Sequence, residues 1–178
     1  MQFTILTASR TGETCGALWP EIELKNRLWI IPAEKMKAGR EHRVPLAPQV
    51  IALLQTLPRE KDNPFVFVGK NTGRGLSTAA MGQMLDRIGR NDITTHGMRS
   101  AFSTWAHERT QHADHTIEIS LAHAVGDKTS QAYARTDLFA KRRQLMQAWA
   151  KFCTSPARPK KPKVEEKSNV VLLREARR

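Results

Sequence analysis

Four segments carry side chains whose types and spacing suit one chemistry. Thr7–Glu13 (TASRTGE) holds Arg10, and Ala33–Leu46 (AEKMKAGREHRVPL) holds Lys37. Thr95–Glu108 (THGMRSAFSTWAHE) holds His96 and Arg99, and Leu121–Asp137 (LAHAVGDKTSQAYARTD) holds His123 and Tyr133, the single tyrosine of the 178-residue chain. Each has an ordinary reading by itself. An arginine ahead of a helix is usually a surface ion-pair partner, a lysine in a hairpin tip is solvated, and a histidine at a helix start is a cap. Together they suit a phosphodiester. Its non-bridging oxygens gain charge in the transition state, and guanidinium groups meet them with paired donors. Arg10 and Arg99 form that clamp. His96 and Arg99, three residues apart, share one face at the start of a helix. Lys37 on a hairpin can reach a leaving oxygen as general acid, and His96 and His123 can bond the phosphate or handle the nucleophile's proton. A phenol is a reasonable nucleophile toward phosphorus, and its ester conserves the bond for a reverse step.

The elements that must position these groups follow from the apolar pattern. Met1–Leu18 reads as the end of a helix, a break at Gly12 and a short helix closing near Trp19-Pro20. Leu28–Ile31 and His42–Leu46 read as strands, joined by a hairpin tip over 35–40. Val50, Ile51, Leu53, Leu54 and Leu57 have helical spacing, and Phe65–Val68 reads as a short buried extended segment. Ser77 is placed to cap a helix running to Ile88, and Thr94 or Thr95 to cap one over 96–108. Ile117–Ala122 reads as a short helix, a further one reaches Tyr133, and Asp137–Phe152 is an amphipathic helix. Trp105, Leu145, Met146 and Trp149 read as core. The expected class is α+β and mainly helical, with a small antiparallel three-stranded sheet near the N-terminus.

Charge narrows the partners. Lys+Arg is 29 against 17 Asp+Glu, a net +12. The 154–178 segment contributes five of those charges, from eight Lys/Arg and three Glu, so the preceding 153 residues are basic as well. A basic body with a basic tail points to a polyanion. Aromatic residues make up only 6 %, which disfavours a base-stacking RNA platform. The two cysteines, Cys15 and Cys153, are not at metal-ligand spacing, and His107, His112 and His115 lack a carboxylate shell, so no metal is expected. No apolar run approaches the roughly 18 residues of a membrane span, and the N-terminus has no signal-peptide pattern, so a cytoplasmic protein is expected.

In this order the motifs resemble the catalytic domain of the tyrosine recombinase, or phage integrase, family, closest to its prophage and genomic-island members. Arg10–Glu13 matches the family's R-x-G-E, Lys37 its hairpin lysine ahead of Val44-Pro45-Leu46, and His96 and Arg99 its H-x-x-R box. Leu121-Ala122-His123 matches its LGH-type box with Ala122 in place of the commoner glycine, and Tyr133 its nucleophile. The resemblance covers residues 1–152. It implies the tyrosine-recombinase catalytic fold and DNA cleavage and rejoining through a 3′-phosphotyrosine, with Arg10, Lys37, His96, Arg99, His123 and Tyr133 as the catalytic set. It implies no cofactor and no metal. Its implied partners are double-stranded DNA at attachment sites and further protomers, as a dimer or tetramer on DNA at the nucleoid, with no membrane. Glu13 either orients Arg10 or is a helix N-terminal carboxylate favoured by the dipole. Lys35, Arg40, Lys70 and Arg74 are expected to contact DNA, Lys35 being also the rival of Lys37.

The expected organisation is a catalytic domain over 1–153, N-terminally truncated relative to the family, and a flexible basic tail over 154–178 whose Val170–Leu173 patch can dock in cis or in trans. The alternative function is a catalytically silent remnant that binds DNA or another integrase.

Overall fold

In the computed structural model, residues 1–71, 73–123 and 137–156 are described. The helix expected to reach Tyr133 and the tail beyond 156 lie outside them. Two short helices open the chain, α1 (Gln2–Thr7) and α2 (Thr11–Cys15). The break between them is not at Gly12, which lies inside α2. It falls at Ala8, the C-cap of α1, whose φ of 50° is left-handed. A 3₁₀ turn (Trp19–Glu21) leads into β1 (Ile22–Glu23), and β2 (Leu28–Ile31) and β3 (His42–Pro45) complete an antiparallel sheet in the order β1-β2-β3. Trp29 faces Val44 and Ile31 faces His42 across the β2–β3 ladder. The expected three-stranded sheet is thus present.

Five further helices complete the described fold: α3 (Pro48–Thr56), α4 (Ala80–Arg87), α5 (Thr95–Arg109), α6 (Asp114–Ser120) and α7 (Phe139–Thr154). Thr94 caps α5 as its position predicts, its hydroxyl accepting from the Gly97 N–H at 3.0 Å. Ser77 does not cap α4. That helix starts only at Ala80, and Ser77 contributes its carbonyl to a turn closed by the Ala80 N–H. α6 begins at Asp114, three residues before the expected start, because the acidic Asp114 and His115 occupy its solvent side. The apolar spacing registers only from Ile117 onward.

Two apolar clusters form the core. One surrounds Trp29 and Ile31, both wholly buried, with Phe3, Leu46, Val50, Leu54 and Val66. The other joins Phe102 and Ala106 of α5, Ile117 and Leu121, and Leu145, Met146 and Trp149 of α7. Each large side chain so buried is worth about 1.5–3 kcal/mol. α1 and α7 bridge the two clusters, fastened by the Trp149 indole N–H on the Ile5 carbonyl at 2.7 Å. α7 is therefore part of the body, and the domain boundary expected at 153 falls in its last turn. Among the described residues no helix is long and apolar enough to cross a membrane.

Candidate active site

The Arg10 segment is fixed from below by buried hydroxyls. Ser9 Oγ lies 2.8 Å from both Thr7 Oγ1 and Thr14 Oγ1, and Thr4 Oγ1 lies 3.2 Å from Thr14 Oγ1. This chain of hydroxyls locks the α1–α2 corner. Arg10 is the N-cap residue of α2, and Glu13 reaches back to it twice. Its Oε2 accepts the Arg10 backbone N–H at 2.8 Å and its Oε1 accepts the guanidinium at 2.7 Å. Both readings of Glu13 thus meet in one side chain, an N-terminal carboxylate that also aims the arginine. Arg10 keeps about a third of its side chain exposed.

Arg99 lies at the centre. It is only 6 % exposed, and its guanidinium donates to the Ala8 carbonyl at 2.6 Å and to the Leu121 carbonyl. Ala8 is the C-cap of α1 and Leu121 the C-cap of α6, so the cation sits where both helix dipoles are negative. Arg10 follows Ala8 by two residues and His123 follows Leu121 by two. One buried side chain therefore sets the positions of two others that are remote in sequence. Burial lowers the Arg99 pKa to about 10, assisted by the nearby Arg10 and opposed by Glu13 and Glu118. It remains a cation at neutral pH. The Thr11 hydroxyl, 3.0 Å from that of Thr95, ties the Arg10 turn to the start of α5.

His123 stands at the end of a tight turn in which Ala122 has a φ of 48°. Left-handed backbone is where glycine is favoured, and alanine stands there in this chain. The His123 Nδ1 lies 2.7 Å from Glu118 Oε2. His123 also lines a cavity of about 380 Å³ with Met36, Ala38, Arg40, His42 and Ala122. The β2–β3 connection forms the opposite wall of this cavity.

On that connection the two lysines differ. Lys35 Nζ donates to the Gly16 carbonyl at 2.8 Å and pairs with Glu21, which also accepts the Trp29 indole N–H at 3.1 Å. Lys35 anchors the connection to the body, and Lys37, two residues on, is exposed. His96 is exposed in the first turn of α5. Arg40 is exposed at the cavity mouth, while Lys70 and Arg74 are exposed on a loop closed by the Val68–Gly75 bridge, distant in sequence from the other site residues. Tyr133 lies outside the described residues. Among the described residues no three His, Cys, Asp or Glu side chains converge as a metal would need.

Three residues of this region were not singled out from the sequence. His42, 9 % exposed, lies between the site and α7, and burial together with the charges of Arg142, Arg99 and Arg10 lowers its pKa to about 3, against a hydrogen bond with the Ser120 backbone. Its inward position is readable from period-two parity with Val44. Arg142 of α7 is 1 % exposed and donates to the Arg43 and Asp137 carbonyls. It occupies the apolar stripe between Leu138 and Leu145, which is the only sequence sign of its burial. Glu118, five residues before His123, left no such sign.

Comparison with known proteins gives the family. The family model described as "Phage integrase family" matches residues 1–138. The chain is 39 % identical over 152 residues to the prophage integrase IntZ of Escherichia coli K12, covering 84 % of this chain and 38 % of that protein. It is 36 % identical over 148 residues to the integrase of Shigella phage Sf6, covering 81 % and 38 %. This chain thus spans well under half the length of these relatives. Among solved structures it is similar to the integrase from mycobacterium phage Brujita (TM-score 0.61, 18 % identity, 82 % of this chain and 49 % of that one). It is also similar to XerA recombinase (TM-score 0.57, 22 % identity, 82 % and 55 %). With its motifs in family order, its fold shared with these recombinases and the family model matched over 138 residues, the chain belongs to the phage integrase family of tyrosine recombinases.

Proposed function

We propose that this chain carries the DNA strand-cleaving and rejoining centre of a site-specific integrase. Arg10 and Arg99 bind the non-bridging oxygens of the scissile phosphate, a placement supported by the bond of Arg99 to the carbonyl two residues before Arg10. The Tyr133 phenol oxygen attacks phosphorus while its proton passes to a histidine. The bond from phosphorus to the 5′-oxygen breaks, and Lys37 delivers a proton to that oxygen. The products are a 3′-phosphotyrosine and a 5′-hydroxyl, and attack by a second 5′-hydroxyl reverses the step and joins a new strand. No redox change or nucleotide cofactor enters this balance. His96 at the mouth of α5 adds a phosphate contact.

The observation that carries this reading is the Arg99 node, which gathers the Arg10 corner, the start of α5 and the His123 turn around one buried cation. The anchored Lys35 favours Lys37 as the acid. Arg40, Lys70 and Arg74 contribute backbone phosphate contacts, so each one lost should reduce the salt slope of DNA binding by about 0.9. In the cell the chain works at the nucleoid with further protomers on double-stranded DNA.

The test is a trapping assay on nicked duplexes drawn from candidate attachment sites. A covalent protein–DNA band on a denaturing gel, absent with Tyr133→Phe, is expected. Binding at low salt without a band in the unaltered chain would overturn the catalytic reading in favour of a silent DNA-binding remnant.

A further inference from the structure

We propose that Glu118 is a positioning residue that holds His123 in the tautomer protonated at Nδ1, so that a bare Nε2 is presented as proton acceptor. The argument begins with the turn. The His123 backbone N–H donates to the Glu118 carbonyl at 3.0 Å, which closes the chain after α6 and brings the two side chains onto the same side. The ring Nδ1 then lies 2.7 Å from Glu118 Oε2. An ionised carboxylate can only accept, so the proton of that bond belongs to the ring. A neutral imidazole has one N–H, and with Nδ1 carrying it the other nitrogen has a free lone pair.

The carboxylate is itself well placed for this. Glu118 keeps about a third of its side chain exposed, and it lies close enough to Arg99 to raise the pKa of that guanidinium. The His123 side chain is 43 % exposed and lines the cavity. An imidazole of the opposite tautomer would donate to a phosphate oxygen. In the neutral ring the Glu118 pairing leaves Nε2 to accept, and His123 can then take the proton released by an attacking hydroxyl. That consequence rests on the proposed function, whereas the tautomer itself does not.

Nitrogen NMR of the full chain separates the two. The spectrum is taken at about pH 8, above the ordinary histidine range near 6.5, with the His123 signals among the six histidines assigned by their loss in His123→Gln. In the unaltered chain Nδ1 is expected to resonate as an N–H nitrogen and Nε2 as a bare one. In Glu118→Ala, which leaves a good helix former on a half-exposed surface, the proton is expected to move largely to Nε2. A proton found on Nε2 in the unaltered chain, or a tautomer that does not change in Glu118→Ala, would overturn the proposal; the first arm needs no variant to fold. The tautomer of the unaltered chain stands whether or not the trapping assay gives a band, so failure of the catalytic reading is read separately.

Discussion

Among the described residues two guanidinium groups are buried, and they differ in what they hold together. Arg99 and Arg142 are 6 % and 1 % exposed, and burial lowers the pKa of each to about 10. Both donate to backbone carbonyls, while the Arg142 Nε is buried without a partner. Arg142 bonds Arg43 of β3 and Asp137 ahead of α7, with the Asp137 carboxylate 3.8 Å away, so it fastens the sheet to the last helix. Arg99 bonds two helix C-caps that lie two residues from Arg10 and from His123, and each guanidinium has a cationic neighbour, Arg10 beside Arg99 and Arg43 beside Arg142. His42 lies between the two nodes as a buried neutral imidazole, with cations on both sides.

The largest effect that would sharpen this contrast is on stability. Arg142→Ala leaves the Arg43 carbonyl unpaired and a void in the core, and should cost about 3–5 kcal/mol in urea unfolding. A loss below about 1 kcal/mol would show that the Arg142 node does not carry the β3–α7 junction. Arg99→Lys keeps the charge but not the two-carbonyl fork. It should slow covalent trapping about 10²–10³-fold, equivalent to about 2.7–4 kcal/mol of barrier, while the chain remains folded by circular dichroism. Equal trapping by Arg99→Lys would reduce Arg99 to a structural role like that of Arg142.

His42 gives a smaller, pH-dependent effect. Its folded pKa, about 3, lies below its ordinary 6.5. Between those values the unfolded chain binds the extra proton, so stability is complete above pH 6.5 and declines as pH falls toward 3. The slope from this residue approaches about 1.4 kcal/mol per pH unit within that window. His42→Gln, which does not titrate, should remove that slope from urea unfolding measured across pH; an unchanged slope would place the acid sensitivity elsewhere. The smallest effect concerns the His123 turn. Ala122 at φ 48° carries left-handed strain of about 1–2 kcal/mol, partly offset in glycine by its freer unfolded chain. Ala122→Gly should therefore raise stability by about 0.5–1 kcal/mol, seen as a higher urea midpoint at unchanged slope; a lower midpoint would mean that the Ala122 methyl packs more than the strain costs.

Much of this was legible without coordinates. The β2–β3 ladder follows from two β-type runs separated by a basic connection, and the α5 start from a threonine three residues ahead of a glycine N–H. Family motifs marked Arg10, Lys37, His96, Arg99, His123 and Tyr133. The α6 start was misplaced because its first turn is polar, and the α4 cap because a serine can form a turn with its carbonyl as readily as cap with its hydroxyl.

The sequence by itself determined the element types, the sheet, the basic character and the candidates for the reactive side chains, because these depend on local periodicity and residue chemistry. Only the tertiary structure decided how each one is used. Lys35 and Lys37 are two residues apart, of the same chemistry and both exposed, yet Glu21, fourteen residues before Lys35, pairs with Lys35 and not with Lys37. Arg99 and Arg142 read alike on two helices, and their roles differ through the carbonyls they meet at separations of 91 and 22 residues for the first and 99 for the second. Such partners are chosen by packing across the core, where burial makes an unpaired polar group costly, and that long-range choice has no signature in the local pattern of the chain.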